Sequence, residues 1–139
     1  MISIIILTFS SIKYIKSCLD SVFSQDCNDF EVILVDNGSK DGTLSFIKEN
    51  YPQVILIENR ENLGACEARN QAINVSKGEW ILTLDCDIVL EKDFLSRYLQ
   101  TVKSLPSHVG IIQPKILMSD KKTIYSVGIF LSTMRRFYD

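Results

Sequence analysis

Two carboxylates one residue apart, Asp85 and Asp87, flank Cys86 directly after the run Trp80-Ile81-Leu82-Thr83-Leu84. Four of those five preceding residues are apolar, which predicts a short strand buried on both faces. Acids cannot stay unpaired inside such a layer, because desolvating a carboxylate is costly. They belong where the strand emerges, at its carboxyl edge, and in open α/β sheets that edge is where ligands bind. Two acids held together there need a counter-charge, and a divalent cation bridging to phosphate oxygens supplies one. Taken alone, the tripeptide is also compatible with a plain strand-end turn that caps the next helix.

The rest of the chain must position that pair. Ile2 to Leu7 reads as a strand broken by Thr8-Phe9-Ser10-Ser11, with Ser10 or Ser11 available to cap a helix. In that helix Ile12, Ile15, Leu19, Val22 and Phe23 recur at spacings of three and four, one apolar face. Phe30 to Val35 is a second strand, ending on Asp36. Asn37-Gly38-Ser39-Lys40-Asp41-Gly42-Thr43 is a loop of turn formers, with Asp41 or Thr43 able to start a helix to about Glu49. Pro52 stops it, Val54 to Ile57 is a third strand, and Glu58 to Asn62 is a polar loop. A helix follows from about Ala65 to Val75, then the strand ending at Asp85, then a helix from about Lys92 to Lys103. Val109 to Gln113 reads as a fifth strand. Thr123 to Phe130 contains strand formers without a definite place in a sheet. Strands alternating with helices predict an α/β fold, a mainly parallel open sheet with helices on both faces. Three strands then end on polar or acidic positions along one edge: Thr8, Asp36 and the Asp85/Asp87 pair.

Composition narrows the function classes. The chain has 139 residues, enough for one domain with a real core. A net charge of −2 gives no basic footprint for nucleic acid. The four cysteines, Cys18, Cys27, Cys66 and Cys86, show no C-x-x-C spacing, and His108 is the only histidine, which argues against zinc. Reduced thiols and the lack of a secretory leader predict a cytoplasmic protein.

A larger pattern joins these motifs. Ser3 to Phe9, Cys18-Leu19-Asp20-Ser21-Val22 with Gln25, Phe30 to Ser39 with Asp41-Gly42-Thr43, Glu61-Asn62-Leu63-Gly64, Ala68-Arg69-Asn70, Gly78-Glu79-Trp80 and Leu84-Asp85-Cys86-Asp87 together resemble the inverting family 2 glycosyltransferases. The resemblance runs over about residues 2 to 118. It implies a GT-A fold, whose Rossmann-like nucleotide-binding half precedes an acceptor-binding half. The reaction implied is transfer of a sugar from a UDP-, dTDP- or GDP-linked donor to a hydroxyl of a saccharide or lipid-linked acceptor. It also implies nucleotide-sugar contacts at Thr8, Phe9, Asp36, Asn37, Arg69 and Asp85, with Mn²⁺ or Mg²⁺ held by Asp87 and supported by Asp85. Family members that read uracil often carry an acid where this chain has Asn37, whose amide oxygen is expected to accept a ring N–H instead. Ser10 stands where the family usually shows asparagine.

Inversion needs a general base to deprotonate the acceptor hydroxyl. In the family that base lies in a later motif. Asp93, Asp120 and Asp139 do not match it, so the chain, residues 1–139, is expected to be one donor-binding domain that stops before the acceptor half. The alternative is a non-catalytic nucleotide- or protein-binding module derived from the same fold. A sugar nucleotidyltransferase would need a glycine-rich basic loop after the first strand, and Thr8-Phe9-Ser10-Ser11 is not one. A receiver-type phosphoacceptor domain would place its acid pair there. The doublets Lys121-Lys122 and Arg135-Arg136 are expected to be solvated surface, or else a peripheral contact with the inner membrane face.

Overall fold

A computed structural model describes residues 1–128, together with the backbone of two short strands at 130–131 and 137–138. Arg135, Arg136 and Asp139 therefore lie outside the described residues. The chain forms two compact units, Met1–Gln100 and Thr101–Asp139.

The first unit carries the alternation the sequence predicts: β1 (Ile2–Thr8), α1 (Ile15–Phe23), β2 (Phe30–Asp36), α2 (Thr43–Asn50), β3 (Ile55–Glu58), α3 (Ala65–Val75) and β4 (Trp80–Asp85), then the start of α4 (Phe94–Ser104). Its four strands make one parallel sheet in the order β3-β2-β1-β4. Side chains alternate across a strand, so the sheet has two unequal faces. Ile2, Ile4 and Ile6 of β1, with Val32, Leu34, Leu82 and Leu84, meet Ile15, Cys18, Leu19 and Val22 of α1, Ile47 of α2 and Leu95 of α4. The opposite face is thinner, with Ile5, Ile33 and Val35 under Ala68 and Ala72 of α3. Two alanines on its inner face let α3 lie close over β1 and β2. At the lower edge Gly78 admits no side chain, since a Cβ there would lie 2.4 Å from the Ser3 backbone nitrogen.

Several expectations need correction. β4 is not buried on both faces: Leu82 and Leu84 are buried, but Ile81 is 37% exposed and Thr83 and Asp85 are exposed. It is an edge strand, and the α3 layer covers β1 and β2 instead. No serine side chain caps α1. Ser11 gives its carbonyl to the Tyr14 and Ile15 amides, while its hydroxyl donates to the Phe9 carbonyl at 3.1 Å. Val109 to Gln113 is not a strand, and Ile111 is 90% exposed. Strand pairing in the second unit is antiparallel, β5 (Ile116–Leu117) with β6 (Ile124–Ser126) and β7 (Phe130–Leu131) with β8 (Phe137–Tyr138). Among the described residues no helix is long and apolar enough to cross a membrane.

Candidate functional site

The register of the parallel sheet brings the strand ends together: Thr8 pairs with Asp36, Asp36 with Glu58, and Leu7 with Asp85. Thr8 is fully buried and Asp36 is 1% exposed. One Asp36 oxygen, Oδ1, accepts the Gly38 and Ser39 backbone amides at 3.2 and 2.9 Å, which folds the turn after β2. The other, Oδ2, and the neighbouring Thr8 Oγ1 are the buried side-chain atoms without a hydrogen-bond partner among the described residues. A buried polar atom left unmade costs about 1–3 kcal/mol. Two such atoms on paired residues at the carboxyl edge, where open α/β sheets bind ligands, are a cost that a bound polar group would offset.

Loops after β1, β2 and β3 form an open cleft of about 290 Å³, lined by Phe9, Ser10, Gly38, Lys40, Arg60, Glu61 and Asn62. Phe9 is half exposed within it. Ser10 adopts a left-handed backbone (φ 52°), and its amide donates to Ser39 Oγ at 2.8 Å, tying the first two loops together. Asp41 adds a second tie by accepting the Ile12 amide at 3.1 Å while also holding the Thr43 amide and hydroxyl. Its partial burial alone would raise its pKa, but the Thr43 hydroxyl and the backbone amides outweigh that and hold it below the usual range. Asn37 is 2% exposed, and its carboxamide is engaged with Asn59, Asn62, Leu63 and Gly64. The amide oxygen expected to be open to a ring N–H already accepts two hydrogen bonds.

The acid pair stands apart from this buried corner. Asp85 is the last residue of β4, on the face where Ile81 and Thr83 are exposed, and Asp87 is exposed in the following turn. That turn closes through the Ile88 amide to the Asp85 carbonyl at 3.1 Å. Cys86 faces the other way, packed against the larger core cluster, with its thiol 3.0 Å from Ser11 Oγ. Beneath it, burial first and then the negative charge around Cys86, Asp87 and Asp85 push the Cys18 thiol up to about 12, so it stays protonated and inert. Arg69 of α3 donates to Asp85 Oδ1 at 2.7 Å, with side chains 37% and 64% exposed. An ion pair this exposed is worth about 0–1 kcal/mol, and its partners can exchange readily.

No group of three or more His, Cys, Asp or Glu side chains among the described residues is arranged to hold a metal. The donor set nevertheless suits one kind of site. Magnesium-type cations are held by one or two carboxylates, with substrate phosphates and water completing the shell. Asp85 and Asp87 present that number of hard oxygen ligands to solvent.

Thr8, Asp36 and Asp85 end their strands at the carboxyl edge, as the strand pattern predicts; Phe9 lines the cleft, and Arg69 is paired with Asp85. Lys40, Arg60, Glu61 and Asn62 also line the cleft, and the strand-end pattern does not point to them. The third parallel strand had to deliver its loop to this same edge, which was the available signal for Arg60 to Asn62.

The family model for glycosyl transferase family 2 matches residues 3–136. A PGL/p-HBAD biosynthesis glycosyltransferase of Mycobacterium bovis is 38% identical over 101 residues, covering 70% of this chain and 40% of the relative. A poly(ribitol-phosphate) beta-glucosyltransferase of Bacillus spizizenii is 37% identical over 116 residues, 79% of this chain and 18% of that protein. Among solved structures, a Pyrobaculum calidifontis mannosyltransferase in complex with GDP-Man and Mn²⁺ superposes with TM-score 0.70 at 27% identity, covering 81% of this chain and 33% of that one. Residues 1–349 of S. aureus TarS in complex with UDP give TM-score 0.70 at 25% identity, with 84% and 41% covered. The chain thus spans 40% or less of these two curated relatives. Its parallel sheet is that of the GT-A glycosyltransferases, and the chain belongs to glycosyl transferase family 2.

Proposed function

We propose that this chain is the donor-binding part of a glycosyltransferase, holding a nucleoside diphosphate sugar along the carboxyl edge of its sheet with Mn²⁺ or Mg²⁺ at Asp85 and Asp87. The observation that carries the reading is the pair of buried, partnerless atoms, Thr8 Oγ1 and Asp36 Oδ2, beside an open cleft and in line with an exposed acid pair. The hydroxyl can donate and the carboxyl oxygen can accept, which suits the alternating polar groups of a nucleoside. Phe9 offers a ring face in the cleft, against which a base can stack. Arg69 is paired with Asp85 at the exposed end, and its guanidinium fork suits phosphate oxygens.

When bound, the metal would act as a Lewis acid that neutralises the diphosphate as it leaves the anomeric carbon. Asp85 and Asp87 would hold that cation, and Arg69, paired with Asp85 here, would offer a second positive charge to the diphosphate. Cys86, a soft ligand directed into the core, stays outside the oxygen-donor set. The acceptor, a saccharide or lipid-linked hydroxyl, and the base that deprotonates it are assigned to residues other than those at this edge. UDP and GDP-Man in the two similar structures, and UDP-GlcNAc in a third at 26% identity, support the donor class. The Mn²⁺ of the mannosyltransferase complex supports the metal.

Calorimetry with UDP, dTDP and GDP, each with and without Mn²⁺, tests the reading. Binding of one nucleotide that strengthens with Mn²⁺, and loses that gain in Asp87→Ala, is the expected result. Metal-independent binding, or none, would instead favour the non-catalytic module.

A further inference from the structure

Asn37 is a fully used amide. Its Oδ1 accepts from Asn59 Nδ2 and from the Leu63 backbone amide, both at 3.1 Å. Its Nδ2 donates to Asn62 Oδ1 at 2.8 Å and, more weakly, to the Gly64 carbonyl at 3.4 Å. A carboxamide has two donor hydrogens and two acceptor lone pairs, so none is left over. Its orientation is not open to choice either, because a backbone amide can only donate and a carbonyl can only accept. The network continues outward: Asn59 and Gln71 exchange a reciprocal pair of hydrogen bonds at 2.9 and 3.1 Å. The Asn59 amide is also bound to the Asp36 carbonyl at 2.9 Å.

An independent feature grips the same segment from the other side. Gly38 has φ +88°, and a Cβ there would lie 2.9 Å from the Glu61 Cα. Asn37-Gly38 therefore holds residues 59 to 64 by polar contacts at one point and by bare backbone approach at the next. That segment supplies Arg60, Glu61 and Asn62 to the cleft wall facing Phe9 and Ser10.

We infer that Asn37 is a positioning residue that locks this wall in place, and that the nucleobase is recognised by the wall rather than by the Asn37 amide. The inference rests on the nucleotide-binding reading above and deepens it, since it moves base selection from a strand end to the loop after β3.

Asn37→Asp separates the two roles. Aspartate keeps an acceptor for a ring N–H but cannot donate to Asn62 Oδ1 or the Gly64 carbonyl. A base-reading residue would be rescued by Asp, with uracil binding kept or strengthened. A lock fails with Asp as it fails with Ala. For both variants we expect nucleotide affinity, measured by calorimetry on the folded protein, to fall about tenfold or more through the lost contacts. We also expect the Leu63 and Gly64 amides to lose protection in hydrogen exchange. Retained affinity in Asn37→Asp, or unchanged protection at Leu63, would overturn the inference; so would a drop in melting temperature with affinity intact. Gln71→Ala cuts the outer end of the network in case Asn37→Asp does not fold. A smaller loss of affinity and protection in the same segment supports the lock, and no change in either overturns it. Should the wild-type chain bind no nucleotide, the site reading fails by itself. The lock is then decided by exchange alone, with deprotection confined to residues 59–64 supporting it and its absence overturning it.

Discussion

Thr8 and Asp36 stand on the two central strands and are closed off from solvent, whereas Asp85 and Asp87 stand at the end of an edge strand and are exposed. The buried end is pre-built: its turn, its loop ties and its cleft wall are held by hydrogen bonds before any ligand arrives. It carries two partnerless polar atoms as a standing cost to stability. The exposed end is built the other way. Its acids are solvated, the Arg69–Asp85 ion pair is weak, and under the proposed function a ligand would complete the coordination shell. Fixed dipoles at one end suit a rigid base and ribose. Exchangeable charges at the other suit a diphosphate that must bind and then leave.

The largest effects are expected at the buried end. Asp36→Ala leaves the Gly38 and Ser39 amides without their acceptor. It should cost roughly 1–3 kcal/mol in urea unfolding and abolish nucleotide binding. An unchanged unfolding midpoint would break the claim that this end is pre-built. Thr8→Val removes the orphan hydroxyl at nearly constant shape. Stability should hold or rise by up to about 1 kcal/mol, while nucleotide affinity falls. A variant that loses stability without losing affinity would contradict the assignment.

Acid should loosen the tie that Asp41 makes between the first two loops. The Asp41 pKa lies below the ordinary value of 3.8, its hydrogen bonds outweighing its desolvation. A folded value depressed in this way contributes stability that is present above the unfolded value and lost as pH falls through the folded one. Melting curves taken from pH 5 downward (roughly the range in which carboxylates titrate) should show the wild type losing its advantage over Asp41→Asn. Parallel curves would show that the tie between the first two loops contributes nothing. The smallest stability effects are expected at the exposed end. Asp85→Asn and Asp87→Asn should each shift unfolding by no more than about 1 kcal/mol while removing any gain in affinity from Mn²⁺.

The strand–helix alternation was legible because Ile2 to Leu7, Phe30 to Val35 and the face of α1 carry clear hydrophobic periods. The edge position of β4 was not, because Trp80 to Leu84 is apolar enough for a central strand, and only the placement of α3 over its neighbours leaves Ile81 and Thr83 open. Val109 to Gln113 has the composition of a strand but not the pairing, which depends on long-range partners. The acids were readable as a site because strand ends in parallel sheets share an edge. The engagement of Asn37 was hidden, since its partners lie 22 to 27 residues away, and turn-forming composition does not say which amide meets which.

The contrast between the two ends is tested most directly by titrating a nucleoside monophosphate and the matching diphosphate, each with and without Mn²⁺, into the wild type and Asp87→Ala. The account predicts that the monophosphate binds with the same affinity in all four conditions. The diphosphate should gain affinity from Mn²⁺ in the wild type alone. An equal Mn²⁺ gain in Asp87→Ala, or monophosphate binding that itself requires the metal, would contradict it.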